Sequence, residues 1–372
     1  MPSVKSLVRL QSLISRERGL VFGWATVICL TTYGSPWLKH IPNPWVAAFF
    51  LLWLVAAILF AAFAVVRRAD ALARRLGEPF GTLVLTLSVT GMEVSMLAAV
   101  MLTGPENPTL ARDTMFAVVM IALGGLVGCA LLLGAFRHGT QAFNMEGASA
   151  YLSLIVPLSL FGLVMPNLTI TTSGPTFSVF QALVLAALCI GSYIIFLGIQ
   201  TLRHRDFFSQ ESESPEGHED KPEGVWTNTV FLFLGLIPVV ILAEQLAHVL
   251  DYGHEVYGLP SAFSGMIVAA LILSPEGLSA ILAARHNHMQ RSVNLLLGSV
   301  LATLSLTIPC IIILGLVTQR KVDLGLSPPD CLLLAVMLAV SFLTFARGKT
   351  NLLQGAVHLL IFIFWLTLLF EG

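Results

Sequence analysis

The chain has 372 residues, of which 56% are hydrophobic and 11% charged, with a mean hydropathy of +0.86. A soluble domain carries about a quarter of its residues as Asp, Glu, Lys and Arg, so this composition excludes a water-soluble fold and suits lipid. The near-neutral balance, a net charge of −1 and a pI of about 6.7, excludes the basic face of a nucleic-acid binder.

The first 19 residues carry Lys5, Arg9, Arg16 and Arg18 ahead of an apolar run. A cleaved signal peptide shares that pattern, but the charged region is long and no small-x-small cleavage site precedes the next helix. The segment is therefore expected to be retained. Apolar runs of about 20 residues, the length that crosses a hydrocarbon core, follow near 20–38, 44–66, 79–103, 113–136, 148–166, 177–201, 226–250, 261–284, 293–318, 329–346 and 352–370. The predicted fold class is an all-α integral membrane protein of about eleven transmembrane helices. Cys29, Cys129, Cys189, Cys310 and Cys331 are scattered without a CxxC pair and read as small buried hydrophobes.

Lys and Arg test the count. With the N-terminus in the cytoplasm and the spans alternating, 16 of the 20 basic residues fall on the cytoplasmic side. Only Lys39, Arg112, Arg320 and Lys321 fall opposite. That is the bias expected of a multi-pass protein of a bacterial inner membrane with a cytoplasmic N-terminus.

Two segments resemble each other: LTLSVTGMEVSMLAAVM (Leu85–Met101) in span 3 and AALILSPEGLSAILAAR (Ala269–Arg285) in span 8. Each sets one glutamate, Glu93 or Glu276, deep in an apolar helix. Span 8 comes five after span 3, an odd offset, so the two copies cross the bilayer in opposite directions. The predicted organisation is a segment 1–43 with an extra helix, a five-helix repeat over 44–202, a cytoplasmic loop at 203–225 and an inverted five-helix repeat over 226–372. Inverted repeats mark secondary transporters, whose ion sites lie near the midplane at the repeat interface. The loop carries Glu211, Glu213, Glu216, Glu219, Asp220 and Glu223, too polar to fold alone. It reads as a solvated linker or as a cation-attracting segment.

A carboxylate at bilayer depth costs at least ~2.5–3.5 kcal/mol on insertion scales. It must be protonated, ion-paired or bound to a cation. A group that is neutral when empty and anionic when it holds a cation makes proton and cation compete for one place, which is the chemistry of an exchanger. Glu93 and Glu276 are thus the expected cation- and proton-binding pair, with oxygen ligands suited to hard cations. The bland alternative is two neutral acids that hydrogen-bond between helices. Thr90 lies three residues before Glu93, Ser274 two before Glu276 and Ser279 three after it. Pro275, next to Glu276, removes a backbone donor, and a helix broken there would offer carbonyl ligands. Asn294, Ser299 and Thr303 in span 9 are neutral oxygens that helix packing explains as well. Glu244, one turn from His248, reads as a relay or as an interfacial patch. Glu78 and Asp113, near span ends, read as surface groups. His286 and His288 form a loop H-x-H pair without further ligands.

Gly77-Glu78-Pro79-Phe80-Gly81, Leu87-Ser88 through Glu93-Val94-Ser95, Pro108-Thr109-Leu110, Arg112-Asp113-Thr114, Ser274-Pro275-Glu276-Gly277, and Gln290-Arg291-Ser292-Val293-Asn294 through Gly298-Ser299 resemble the calcium:cation antiporter superfamily. The resemblance is to its bacterial ChaA-type branch of sodium/calcium–proton antiporters and runs over most of the chain. It implies two repeats that each supply one acidic residue to a central site open alternately to each side, here Glu93 and Glu276. It also implies an acidic loop between the halves, and inorganic cations and protons as cargo with no resident cofactor. Thr90 and Leu273 stand where the calcium/proton exchanger branch has Asn, three before each glutamate. Losing that amide loosens the expected Ca2+ selectivity and admits Na+ and K+. A passive cation channel is the rival reading, and a membrane-embedded enzyme is disfavoured because no HExxH or GxSxG constellation is present.

Overall fold

The structure is a computed structural model that describes residues 17–34, 41–77, 80–103, 107–203, 205–208 and 224–371. Glu78 and the acidic tract at 209–223 lie outside the described residues. In chain order the helices are α1 (Arg18–Cys29), α2 (Pro44–Leu76), α3 (Phe80–Thr103), α4 (Leu110–His138), α5 (Met145–Asn167) and α6 (Val179–Thr201). They continue as α7 (Val225–Tyr257), α8 (Ser261–Arg285), α9 (Met289–Thr318), α10 (Pro328–Phe345) and α11 (Leu352–Glu371). From α2 onward, ten helices are long and apolar enough to cross a membrane. The predicted span 20–38 is helical over Arg18–Cys29 and continues as a π-helical turn to Gly34; residues 35–40 are outside the described set.

The helices start where the sequence offers caps. Asn43 accepts from the Val46 amide ahead of Pro44, and Asn144 accepts from the amides of Glu146 and Gly147. Ser178 and Gln181 form a reciprocal capping box at α6, and Ser327 accepts from the Asp330 amide at α10. These contacts satisfy donors that a helix start otherwise leaves open. Two helices outrun their predicted spans. α2 and α7 are 33 residues each, about 50 Å at 1.5 Å per residue, against a hydrocarbon core of about 30 Å. Hydropathy marks the part of a helix in lipid, whereas backbone hydrogen bonding carries it further, through Arg67–Leu76 in one and Asp251–Tyr257 in the other. Both end at a glycine with positive φ, Gly77 at +67° and Gly258 at +63°. Only glycine takes that conformation without steric cost.

The chain gathers into two compact units, each drawn from both sides of the acidic tract. One holds α1, α2, α3 and α7. Here Leu54, Ala57, Ile58, Ala61, Val65 and Ala69 form a buried stripe with helical spacing along α2, and α7 packs along α2. At one end Arg68 pairs with Glu17, donates to Asn228 Oδ1 at 2.8 Å and lies 4.8 Å from the centre of the Phe231 ring. This arginine, assigned to a cytoplasmic connection, is a packed cation that ties α1 and α7 to α2.

The other unit holds α4, α5, α6 and α8 to α11, with α4 and α9 most deeply buried. Both inner helices contain a π-helical turn, Met120–Leu126 and Thr303–Thr307. Such a turn offsets the backbone pairing by one residue. The Leu123 carbonyl meets Nδ1 of His358 at 2.6 Å, and the same fully buried ring contacts Thr344 Oγ1 through Nε2 at 3.0 Å.

The connections in this unit sort into two sets. The α4–α5 connection is held by the α8–α9 and α10–α11 connections. Gln141 Nε2 donates to the Ala284 carbonyl (2.8 Å) and Asn287 Oδ1 (3.0 Å); the Gln141 carbonyl accepts from the Thr350 amide (2.9 Å); the Phe143 amide donates to Gly348 (3.0 Å). The α9–α10 connection is held by those of α3–α4 and α5–α6. The Asp323 amide donates to Pro108 (2.9 Å), Gly325 to Pro175 (3.1 Å), and Asn167 Nδ2 to the Leu326 carbonyl (2.6 Å). No described bond joins one set to the other, as expected if every helix crosses the bilayer once and alternate connections share a side.

Candidate functional site

α3 lies in the first unit and carries Glu93 as its fourteenth residue of 24. The glutamate is 3% exposed; Thr90, nearly one turn earlier, is also buried, and Met92, Met96 and Leu97 are closed from solvent. α8 lies in the second unit and carries Glu276 as its sixteenth residue of 25, less enclosed than Glu93. Each carboxyl thus sits about midway along an apolar helix, where lipid cannot solvate a charge.

The helix around Glu276 departs from expectation. α8 is not broken at Pro275; it is α-helical from Ser261 to Arg285. Proline removes one donor, the partner of the Leu271 carbonyl, while packing on neighbouring helices holds the rest. Backbone irregularity in this unit lies instead in π-helical turns, within α4, α5 and α9 and at the end of α6. Ser274 Oγ donates to the Ala270 carbonyl at 2.5 Å, and Ser279, on the exposed side, donates to the Pro275 carbonyl at 2.9 Å.

α9 packs on α8 within the same unit. The Ser299 hydroxyl is buried and has no hydrogen-bond partner among the described residues, as are those of Ser292 and Ser305 on the same helix. A buried hydroxyl without a partner is costly, so Ser299 retains an oxygen able to meet a cation. Asn294 is already engaged. Its Oδ1 accepts from Gln290 at 2.9 Å, and its Nδ2 donates to the Phe208 carbonyl at 2.7 Å. Glu244 is exposed on α7, in the first unit, with His248 one turn on. Among the described residues no three His, Cys, Asp or Glu side chains gather as a metal cluster. The His286 ring is in contact with the Leu282 carbonyl.

Asp113 corrects the sequence reading, which left it at the surface. It is 6% exposed, beside Arg112 at 2.8 Å, and Oδ2 accepts from Thr109 at 2.9 Å and Ser261 at 3.5 Å. Arg112 also donates to the Gly325 carbonyl at 2.9 Å. The span end is dry because the α9–α10 connection folds over it. A carboxylate adjacent to arginine, with a threonine four residues earlier, was the available signal. His358 gave less, being one polar residue in an apolar run.

The sodium/calcium exchanger protein family model matches residues 46–202 and 227–371. The chain belongs to that family. Within it, the chain is similar to the sodium-potassium/proton antiporter ChaA of Escherichia coli (strain K12), 39% identical over 95% of this chain and 96% of that one. It is 39% identical to the putative ionic transporter y4hA of Sinorhizobium fredii (strain NBRC 101917 / NGR234), over 86% of this chain and 88% of that one. The solved structure of the Ca2+/H+ antiporter protein YfkE shares the fold, with a TM-score of 0.74 at 19% identity over 95% of this chain and 100% of that one. This sodium/calcium exchanger family member is therefore all-α and multi-pass, and its relatives are cation/proton antiporters.

Proposed function

We propose that the protein is a secondary active antiporter exchanging a cation for protons by alternating access, with Glu93 and Glu276 sharing one cation- and proton-binding site. The observation that carries the reading is their equivalent placement. Each lies midway along the helix that follows a 33-residue helix ending in a positive-φ glycine. The helices on either side of the acidic tract match in order: α2 with α7, α3 with α8, and α4 with α9, whose π-helical turns also correspond. That correspondence supports two inverted repeats, 44–202 and 226–372, joined by 203–225, with 1–43 outside them.

An empty site takes up protons because a buried carboxylate is otherwise too costly. A cation releases them by supplying the compensating charge. Thr90, buried nearly one turn before Glu93, and Ser299, whose buried hydroxyl has no partner among the described residues, are the neutral oxygens assigned to assist, with Ser274 and Ser279 secondary. Neither unit holds an amide three residues before its glutamate, so Na+ and K+ are admitted beside Ca2+. This agrees with a relative named for sodium and potassium. The cations are cargo in a bacterial inner membrane, with the N-terminus in the cytoplasm.

The test is proton release from inverted vesicles on adding Ca2+, Na+ or K+ separately. Glu276→Gln and Glu93→Gln are each expected to abolish cation-driven proton movement while inserting at normal levels. Full exchange by either variant removes that glutamate from the mechanism. Cation current through reconstituted protein without a proton gradient assigns a channel instead.

A further inference from the structure

We propose that the groove between the start of α6 and the end of α9 is a binding site for an anionic phospholipid. The headgroup phosphate lies at Arg320 and Lys321, and an acyl chain lies along Val179, Ile312 and Leu316. The groove encloses about 420 Å3 and is lined by these residues and Val322. It lies within the second unit and does not depend on the transport reading.

Three features point to that ligand. The first is depth. The apolar span of α9 ends at Thr318, and the basic pair follows within three residues, at headgroup level. Ile312 and Leu316 lie one to two turns deeper. The second is access. Val179, Phe180, Ile313, Leu316 and Val317 around the groove are exposed, and in a bilayer an open apolar groove at this depth is filled by hydrocarbon. The third is charge. Arg320 and Lys321 stand side by side at the groove mouth, near the positively polarised start of α6. Lys321 meets Asp323 at 3.1 Å but its side chain is 62% exposed, so it has room for a second partner. Paired cations beside an apolar groove between helices are what an anionic headgroup requires. A zwitterionic lipid brings its own cation close to theirs and is held less well.

The experiment is native mass spectrometry of the full-length protein in mild detergent, titrated with phosphatidylglycerol or phosphatidylcholine of the same acyl chains. Phosphatidylglycerol is expected to bind roughly tenfold more tightly. Arg320→Gln with Lys321→Gln is expected to bring the two lipids within about twofold of each other. Ala182→Trp, which fills the groove wall and keeps both charges, is expected to weaken both lipids. Equal binding of the two lipids by the unaltered protein overturns the proposal. So does an undiminished preference in the charge-neutral variant, or in Lys321→Gln alone should the double variant not fold. A dimer that Ala182→Trp abolishes gives the groove to a second copy of the chain and likewise overturns it.

Discussion

Arg112 and Asp113 show how much a single pair of residues can organise in a membrane protein. The carboxylate binds the arginine, Thr109 and Ser261, and the arginine reaches the Gly325 carbonyl, so three connections meet at one ion pair. Removing one partner leaves a buried charge uncompensated, at about 3–5 kcal/mol. Arg112→Leu is expected to lower the unfolding midpoint in detergent substantially, and the added change Asp113→Leu to restore part of the loss. A double variant no more stable than Arg112→Leu shows that the pair is not the reason. Glu93 and Glu276 were legible in the sequence because charge in an apolar helix is conspicuous. Asp113 was not, since a carboxylate near the end of a span looks solvated until the chain folding over it is seen. Asn294 was legible as a polar residue but not as a bracket for Phe208, since that partner lies 86 residues away.

At the level of elements, hydropathy located every span from α2 onward to within a few residues, apart from the polar extensions of α2 and α7. It was silent on the interior of the helices. Pro275 suggested a break where α8 runs on, whereas the π-helical turns of α4 and α9 fall at Gly124-Gly125 and just before Pro309, which hydropathy does not register. Neighbouring helices decide which irregularity survives, and their contacts are not periodic in sequence. The connections were equally hidden. Gln141 is 1% exposed and its amide holds the Ala284 carbonyl and Asn287. Gln141→Leu removes both donors and is expected to destabilise the protein by about 1–3 kcal/mol, read as a lower midpoint of thermal unfolding. Glu276→Gln is expected to leave that midpoint near its original value. A Gln141→Leu midpoint equal to the unaltered protein's shows the connection to be ornamental.

For the molecule as a whole, alternation is the property most open to test. In a background with the five cysteines replaced, Ser173→Cys between α5 and α6 and His286→Cys between α8 and α9 report on opposite faces. A membrane-impermeant maleimide added to intact cells is expected to label the first only, and the second after permeabilisation. Labelling of both from outside contradicts the inverted topology. Ten of the eleven expected spans are matched by helices long and apolar enough to cross a membrane, because each must satisfy the same length. The compact units were not readable in the sequence, because they draw helices from both sides of the acidic tract. The crossed ties among the connections carry one more consequence. In the larger unit the α4–α5 connection is closed by residues from beyond the acidic tract, and the α9–α10 connection by residues from before it. Within this unit these two connections are completed across the tract, much as the loops of an intertwined dimer are completed by the partner protomer.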